Sequence, residues 1–320
     1  MKRIVVLKGG FSPEREVSLV SGTEIAKELR LLGYNVHEID PHDYVSSVSF
    51  VHELTKHNPD IVFNGLHGGS GENGELQALL RLLNLPFTGS EFKACCITMD
   101  KYITKLIVAQ EGIPVPKHIL LRGNVLEDYS DPQDYASFTS ELGLPIIVKP
   151  NDAGSSVGIS RVDDLHQIKN AVLDALKYST SALLEEYIPG RELTVTVVDG
   201  KALPVVEIKP LSGWYDYNNK YTKGKTEYVA PARLDDSTAK LIQLYAERIW
   251  KAMDLSGYAR IDFRYDDTKA FFLEVNTLPG MTPLSLTPMA AKAAGLSFGE
   301  LLQSVINISL RMQGGKNETH

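Results

Sequence analysis

The sequence predicts an α/β protein in which an open, doubly wound N-terminal unit is followed by two further sheet-bearing units. Three observations carry this. Residues 3 to about 90 alternate strand-like and helix-like stretches, glycine-rich loops follow two of those strands, and two strand-like stretches near the C-terminal end carry acidic residues at alternate positions.

The N-terminal unit reads in order. Residues 4–7 are apolar and β-branched, residues 18–32 have helical spacing, residues 36–39 form a second strand ending at Asp40-Pro41, residues 59–64 form a third, and residues 74–83 return to helical periodicity. Gly9-Gly10-Phe11-Ser12-Pro13-Glu14 follows the first strand, where a ligand loop lies in open α/β sheets, but it lacks the three-glycine spacing of a dinucleotide fingerprint. Glu14 either flanks the next helix as a cap or faces a ligand ammonium. His67-Gly68-Gly69-Ser70-Gly71 holds the corresponding place after a later strand. A lone histidine is usually structural, whereas two such loops in one unit point to a cleft.

Thr88-Gly89-Ser90 reads as a boundary, and Met99-Asp100-Lys101 opens a second unit. Residues 313–320 are expected to be a frayed tail. In the second unit an apolar run ends at Lys149, followed by Asn151-Asp152-Ala153-Gly154-Ser155-Ser156-Val157-Gly158. Small residues fold closely over phosphate and lysine supplies charge, although the order is not that of a P-loop and a plain turn is the alternative. Residues 183–188 and 189–197 are strand-like. The first offers backbone groups to a flat ring, and Glu192 in the second is placed to bind ribose hydroxyls; ordinary strand pairing explains both equally well. Residues 209 to about 230 are polar and irregular but hold Trp214, Tyr215, Tyr217 and Tyr221, which suits a lid or binding loop, with disorder the competing reading.

The organising stretch is residues 259–263 followed by 271–276, two strands joined by a turn at 265–269. Alternation puts Arg260 and Asp262 on one face and Glu274 and Asn276 on one face. Antiparallel pairing brings two carboxylates and an amide oxygen together beside an arginine, a hard-oxygen set suited to magnesium or manganese with phosphate. A solvated sheet face is the alternative. A helix over 235–250, an alanine-rich helical tract after Ser285 and an amphipathic helix over 298–310 complete the chain.

Composition limits the function classes. The chain has 320 residues, 43% of them hydrophobic and 23% charged, enough for two or three domains. No 18-residue uncharged apolar run is present, so no membrane span is expected. The basic start is interrupted by Gly9-Gly10 and Glu14, unlike a secretory leader. Forty acids against 33 Lys plus Arg give a net charge of −7, which argues against nonspecific nucleic-acid binding. Adjacent Cys95 and Cys96 are the only cysteines, so a reducing, cytoplasmic setting is expected.

In joint presence and order these anchors resemble the D-alanine:D-alanine ligases of the ATP-grasp superfamily: Glu14-Arg15-Glu16-Val17-Ser18, Leu66-His67-Gly68, Met99-Asp100-Lys101, Val148-Lys149-Pro150, Gly154-Ser155-Ser156-Val157-Gly158, Tyr215-Asp216-Tyr217, Lys220-Tyr221, Arg260-Ile261-Asp262, Glu274-Val275-Asn276-Thr277 and Pro279-Gly280-Met281-Thr282. The resemblance spans nearly the whole chain. It implies a substrate domain over residues 1–98 followed by a two-part ATP-grasp fold over 99–190 and 191–312, and ligation of two D-alanine molecules through an acyl phosphate for peptidoglycan.

Carried over residue by residue, Lys101, Lys149 and Lys220 lie on the nucleotide, Glu185, Glu186, Tyr187 and Ile188 border adenine, and Glu192 takes the ribose. Asp262, Glu274 and Asn276 hold two magnesium ions, with manganese an alternative. Glu14 binds the first substrate's ammonium, linked to the loop by Ser155 and Tyr221. Val17 is a substrate-binding position, His67 sits near the first substrate's carboxylate, and Ser285 and Leu286 lie around the second substrate's carboxylate. Arg260 and the Gly280 amide stabilise the tetrahedral oxyanion. Tyr221 resembles the dipeptide-forming class rather than the depsipeptide formers. Pro13 departs from the small nonproline residue common there and fixes a φ angle, and Asn151-Asp152-Ala153 lies in a variable part of the phosphate loop. A homodimer is also implied. Another ATP-grasp ligase with a different acceptor, or a noncatalytic nucleotide-binding protein, is the alternative.

Overall fold

The computed structural model describes residues 2–123, 135–154, 157–210 and 226–314. Its elements in order are β1 (Arg3–Leu7), α1 (Arg15–Leu31), β2 (Asn35–Ile39), α2 (Ser47–Lys56), β3 (Ile61–Asn64), α3 (Glu75–Leu82), α4 (Phe92–Met99) and α5 (Lys101–Gln110). There follow β4 (His118–Arg122), α6 (Ala136–Leu142), β5 (Ile146–Pro150), β6 (Ser160–Val162), α7 (Ile168–Ala175), β7 (Ser181–Glu186), β8 (Arg191–Val198), β9 (Lys201–Ala202), β10 (Val206–Pro210) and β11 (Thr226–Val229). The chain continues through α8 (Asp236–Ala252), β12 (Tyr258–Tyr265), β13 (Ala270–Asn276), α9 (Leu286–Ala293) and α10 (Phe298–Gly314).

The first sheet is parallel, in the order β2-β1-β3. Its middle strand is buried on both faces, which is why residues 4–7 are continuously apolar rather than alternating. One face packs on Phe50, Leu54, Leu76 and Leu80. The other packs on Ile25, Ala26 and Leu29 of α1 and, from the far end of the chain, on Leu301, Leu302, Val305 and Ile306 of α10. Helix α1 presents Ser18, Ser21, Gly22, Ile25, Ala26 and Leu29 inward at helical spacing. Its small residues let it lie close to the sheet: a methyl at Gly22 would come within 2.3 Å of the Lys8 Cβ.

The second sheet is antiparallel, in the order β4-β7-β5-β6, and packs on α6 and α7. The third runs β11-β10-β8-β12-β13, with β9 beside β8. Its core combines Leu193, Val195 and Val197 with Ile242, Ala246 and Ile249 of α8. Ala94 of α4 and Val108 of α5 join the same core, so these two helices bridge toward the third sheet although they precede the second in sequence. Asp100 caps α5 by accepting from the Ile103 amide at 2.9 Å.

The strands β12 and β13 are antiparallel, pairing Arg260 with Asn276 and Asp262 with Glu274. Beyond that pair the register steps to Phe263 with Phe272, so Leu273 is the extra residue of a bulge.

Candidate active site

Two glycine loops of the first sheet meet on the α1 side. The Gly9 amide donates to Ser18 Oγ at 2.8 Å and the Gly10 amide to Asp40 Oδ1 at 2.9 Å, while Arg15 pairs with Asp40. Both glycines have positive φ, +76° and +79°, a turn that side chains resist. Glu14 sits at the head of α1, 9% exposed, with its carboxylate turned to neighbouring loops. A methyl on Gly68 would lie 2.9 Å from Glu14 Oε2 and one on Gly154 3.5 Å, so this acid looks onto both the His67 loop and the loop after β5. Val17 lies half-buried one turn further along.

His67 is held at both ring nitrogens. Nδ1 donates to the Leu278 carbonyl at 2.9 Å, and Nε2 lies 2.9 Å from Ser21 Oγ. It thus ties α1 to the segment after β13 as well as standing in the glycine loop. Glu72, which sequence reasoning missed, makes a second tie. Its Oε1 accepts from the amides of Thr277 and Leu278 at 3.0 and 3.2 Å, and its Oε2 from the Gly68 amide at 3.2 Å. Burial raises its pKa and the nearby Glu14 adds to this, opposed by those amides and by Arg260.

On the second sheet, Lys149 is the last residue but one of β5, with its Nζ 2.8 Å from Glu185 Oε2. Both are nearly sealed, at 6% and 3% exposure. Glu185 is a counter-ion in this structure, and its pKa is lowered despite burial because Lys105 and Lys149 face it. The amides of Glu186 and Tyr187 donate to the carbonyls of Lys117 and Pro145, and Arg264 donates to the Ile188 carbonyl. The Tyr187 ring lies under the Arg161 guanidinium at 4.6 Å.

Lys101 opens α5, and Asn151 positions it: the Lys101 amide donates to the Asn151 carbonyl and the Tyr102 amide to Asn151 Oδ1. The Lys101 ammonium donates to the Ala153 carbonyl at 2.7 Å and lies 3.5 Å from Glu274 Oε2. One lysine therefore joins the loop after β5 to the acid pair of the third sheet.

On that third sheet, Arg260 grips Asp262 with a two-pronged bond, Nε to Oδ1 at 2.9 Å and Nη2 to Oδ2 at 2.8 Å. Thr194 Oγ1 and Asn276 Nδ2 also donate to Asp262, at 2.6 and 3.0 Å. Glu192 pairs with Arg264 at 3.1 Å, and its pKa is pushed up to about 7, chiefly by burial, with Asp262 and Glu274 contributing and Arg264 opposing. Ser285 precedes α9 and accepts from the Thr282 amide at 3.1 Å; a methyl on Gly280 would lie 2.9 Å from its Oγ. Leu286 is buried at the start of α9. Ser155, Lys220 and Tyr221 lie outside the described residues.

Among the described residues, no three His, Cys, Asp or Glu side chains cluster as a metal site. The donor set is instead two carboxylates, Asp262 and Glu274, directly opposite one another, with the Asn276 amide beside them. Like charges facing across strands are unfavourable alone, and hard oxygen donors suit a divalent cation that takes further ligands from phosphate. The residues present fit such an ion. A small cleft runs between Glu72, Lys101, Gly154, Glu274 and Asn276. A larger cavity of about 290 Å³ opens on the other flank of the glycine loops, against Phe50, Leu76 and Leu79, and neither the lysines nor the acid pair line it.

Comparison with known proteins agrees along the chain. The family model for the D-ala D-ala ligase N-terminus matches residues 40–90, and that for the D-ala D-ala ligase C-terminus matches residues 107–307. The chain is 43% identical to the D-alanine–D-alanine ligase of Aquifex aeolicus over 307 residues, covering 95% of this chain and 99% of that one. Its structure resembles the Bacillus anthracis D-alanine–D-alanine ligase complexed with ATP, with a TM-score of 0.84 and 30% identity over 99% of this chain and all (100%) of that one. It also resembles the VanG D-Ala:D-Ser ligase of Enterococcus faecalis, with a TM-score of 0.82 and 30% identity over 96% of this chain and 99% of that one. Taken with the site, these matches establish that the chain belongs to the D-alanine–D-alanine ligase family and has its ATP-grasp fold.

Proposed function

We propose that the protein joins two D-alanine molecules to D-alanyl-D-alanine, converting ATP to ADP and phosphate, and so supplies the dipeptide for peptidoglycan. The observation that carries this is the junction at Lys101, where one ammonium spans the loop after β5 and the acid pair of the third sheet. A carboxylate and an amine do not condense in water unless the carboxylate is activated. A carboxylate oxygen of the first D-alanine attacks the γ-phosphorus and ADP leaves. The neutral amine of the second D-alanine then attacks the acyl carbon of D-alanyl phosphate, and phosphate departs as the nitrogen loses its proton.

Lys101 and Lys149 neutralise the phosphates, with Lys220 assigned to the same task, while Glu192 meets the ribose and residues 185–188 border the adenine. Glu14 takes the first ammonium, and Ser155 and Tyr221 complete that link. Val17 and His67 shape the first site, Ser285 and Leu286 the second, and Arg260 with the Gly280 amide faces the tetrahedral oxyanion. Asp262, Glu274 and Asn276 would hold two magnesium ions or manganese, which neutralise phosphate charge when bound.

The test is ATP turnover with D-alanine, magnesium and mass detection of the product, beside D-serine, D-lactate and L-alanine. Equal amounts of ADP, phosphate and D-alanyl-D-alanine support the reading. Turnover with D-serine or D-lactate alone would leave the ligase and overturn the acceptor. Nucleotide binding without turnover would make it a binding protein. Among the described residues no helix is long and apolar enough to cross a membrane. We also propose a cytoplasmic homodimer, for which light scattering should return roughly twice the chain mass of 35.3 kDa.

A further inference from the structure

Lys105 has no place in the chemistry above, yet it is fully buried, at 0% exposure. A lysine reaches such a position only when its charge is compensated. Its ammonium faces two different sheets, in an ion pair with Glu185 Oε1 of β7 at 2.9 Å and donating to the carbonyls of Phe272 and Leu273 of β13 at 3.2 and 2.9 Å. Leu273 is the extra residue of the bulge, and Glu274 follows it directly. A bulge leaves its own backbone groups without a regular ladder and redirects the next side chain. The Lys105 ammonium satisfies those carbonyls at the place where the direction of Glu274 is set.

The other contact works on the nucleotide side. Glu185 shares its two oxygens between Lys105 and Lys149, so two buried cations face one carboxylate. A phosphate beside Lys149 would balance the excess charge. Burial pushes the Lys105 ammonium down to about 8, with Glu185 opposing and Lys149 adding to the shift. Lys101 and Lys105 lie on one face of α5 at i and i+4, so a single helix delivers both cations.

We propose that Lys105 is a positioning residue that holds Lys149 through Glu185 and aims Glu274 through the bulge, so that nucleotide binding and divalent-cation binding favour one another. This rests on the assignment of Lys149 to phosphate and Glu274 to the cation. The coupling is a property of binding and needs no turnover.

The test is calorimetric titration of the full chain with a non-hydrolysable ATP analogue, with and without magnesium, for the wild type, Lys105→Met and Lys105→Gln. Steady-state kinetics run in parallel. Lys105→Met is expected to weaken the analogue about tenfold in the presence of magnesium and to remove most of the gain that magnesium brings, with KM for D-alanine unchanged. Lys105→Gln keeps a donor for the bulge carbonyls and loses the charge, so it should recover the magnesium gain but not the affinity. A folded Lys105→Met with wild-type affinity and magnesium gain, altered only in melting temperature, overturns the proposal. Should that variant fail to fold, Lys105→Gln decides by the same two readings. Wild-type analogue binding without D-alanine turnover would sink the ligase reading and leave this test intact; no analogue binding by the wild type would overturn both.

Discussion

The second and third sheets offer a nucleotide opposite chemistries, and they stabilise them differently. Around β5 and β7 the charge is basic: Lys105 and Lys149 share the single carboxylate of Glu185, all three nearly sealed from water. On β8, β12 and β13 the charge is acidic, with Glu192 answered by Arg264, Asp262 by Arg260 and Glu274 by Lys101. The basic cluster is set by burial and by the one carboxylate that its two ammonium groups share. The acidic face is set by two-pronged and single arginine contacts on strands whose register is already fixed, so its carboxylates keep their direction while their charge is only partly compensated. On the proposed reading, phosphate meets the cations of the one side and a divalent cation the oxygens of the other.

The strongest way to break this contrast is at the acidic face. Glu274→Gln keeps the shape and removes an anionic oxygen, so kcat/KM should fall on the order of 10²–10³-fold while the fold persists. A manganese titration beside a melting curve checks this, and undiminished metal dependence would count against the assignment. On the basic side, Lys149→Met should raise KM for ATP about tenfold. It should also lower stability by about 1–3 kcal/mol in denaturant unfolding, because Glu185 loses one of two buried partners.

The smallest effect has the least expected sign. Glu192 has a folded-state pKa of about 7 against an ordinary 4.5, so the folded chain holds this proton more tightly than the unfolded one. The stability gained from that proton is present at low pH and is lost as pH rises from the ordinary value through the folded one. Glu192→Gln should therefore stabilise the ligand-free protein by on the order of 1–3 kcal/mol at pH 8 and by little at pH 4, while weakening ATP binding. Unfolding curves at the two pH values that ran parallel would remove Glu192 from the comparison.

Much of the fold was legible because it rests on short periods. The apolar run at residues 4–7 marked a strand, and alternation over 259–263 and 271–276 foretold which side chains share a face. Less was legible where a pattern lacked its context. The helix Ser47–Lys56 escaped notice because its capping box is built from two serines, Ser46 and Ser49, rather than from a serine and an acid. Strand β11 was absorbed into the loop expected from 209 to about 230 by its polar neighbours. Glu72 meets amides 205 and 206 residues away, a separation that no local spacing reveals. Lys105 carried one faint signal, its place one turn after Lys101, but an amphipathic helix normally turns a lysine to water. The bulge that makes it useful depends on how two strands pair.

The packing of α10 has a consequence for how the protein is made. Leu301, Leu302, Val305 and Ile306 complete a core begun by Ile4, Val6 and Phe63. As synthesis proceeds, the first strands leave the ribosome with part of one apolar face bare, because α1 covers only some of it and the helix that completes the cover comes much later in the chain. Closing so long a loop is entropically slow, and the bare face is open meanwhile to aggregation or to a chaperone. The first sheet is thus translated well before the helix that completes its core.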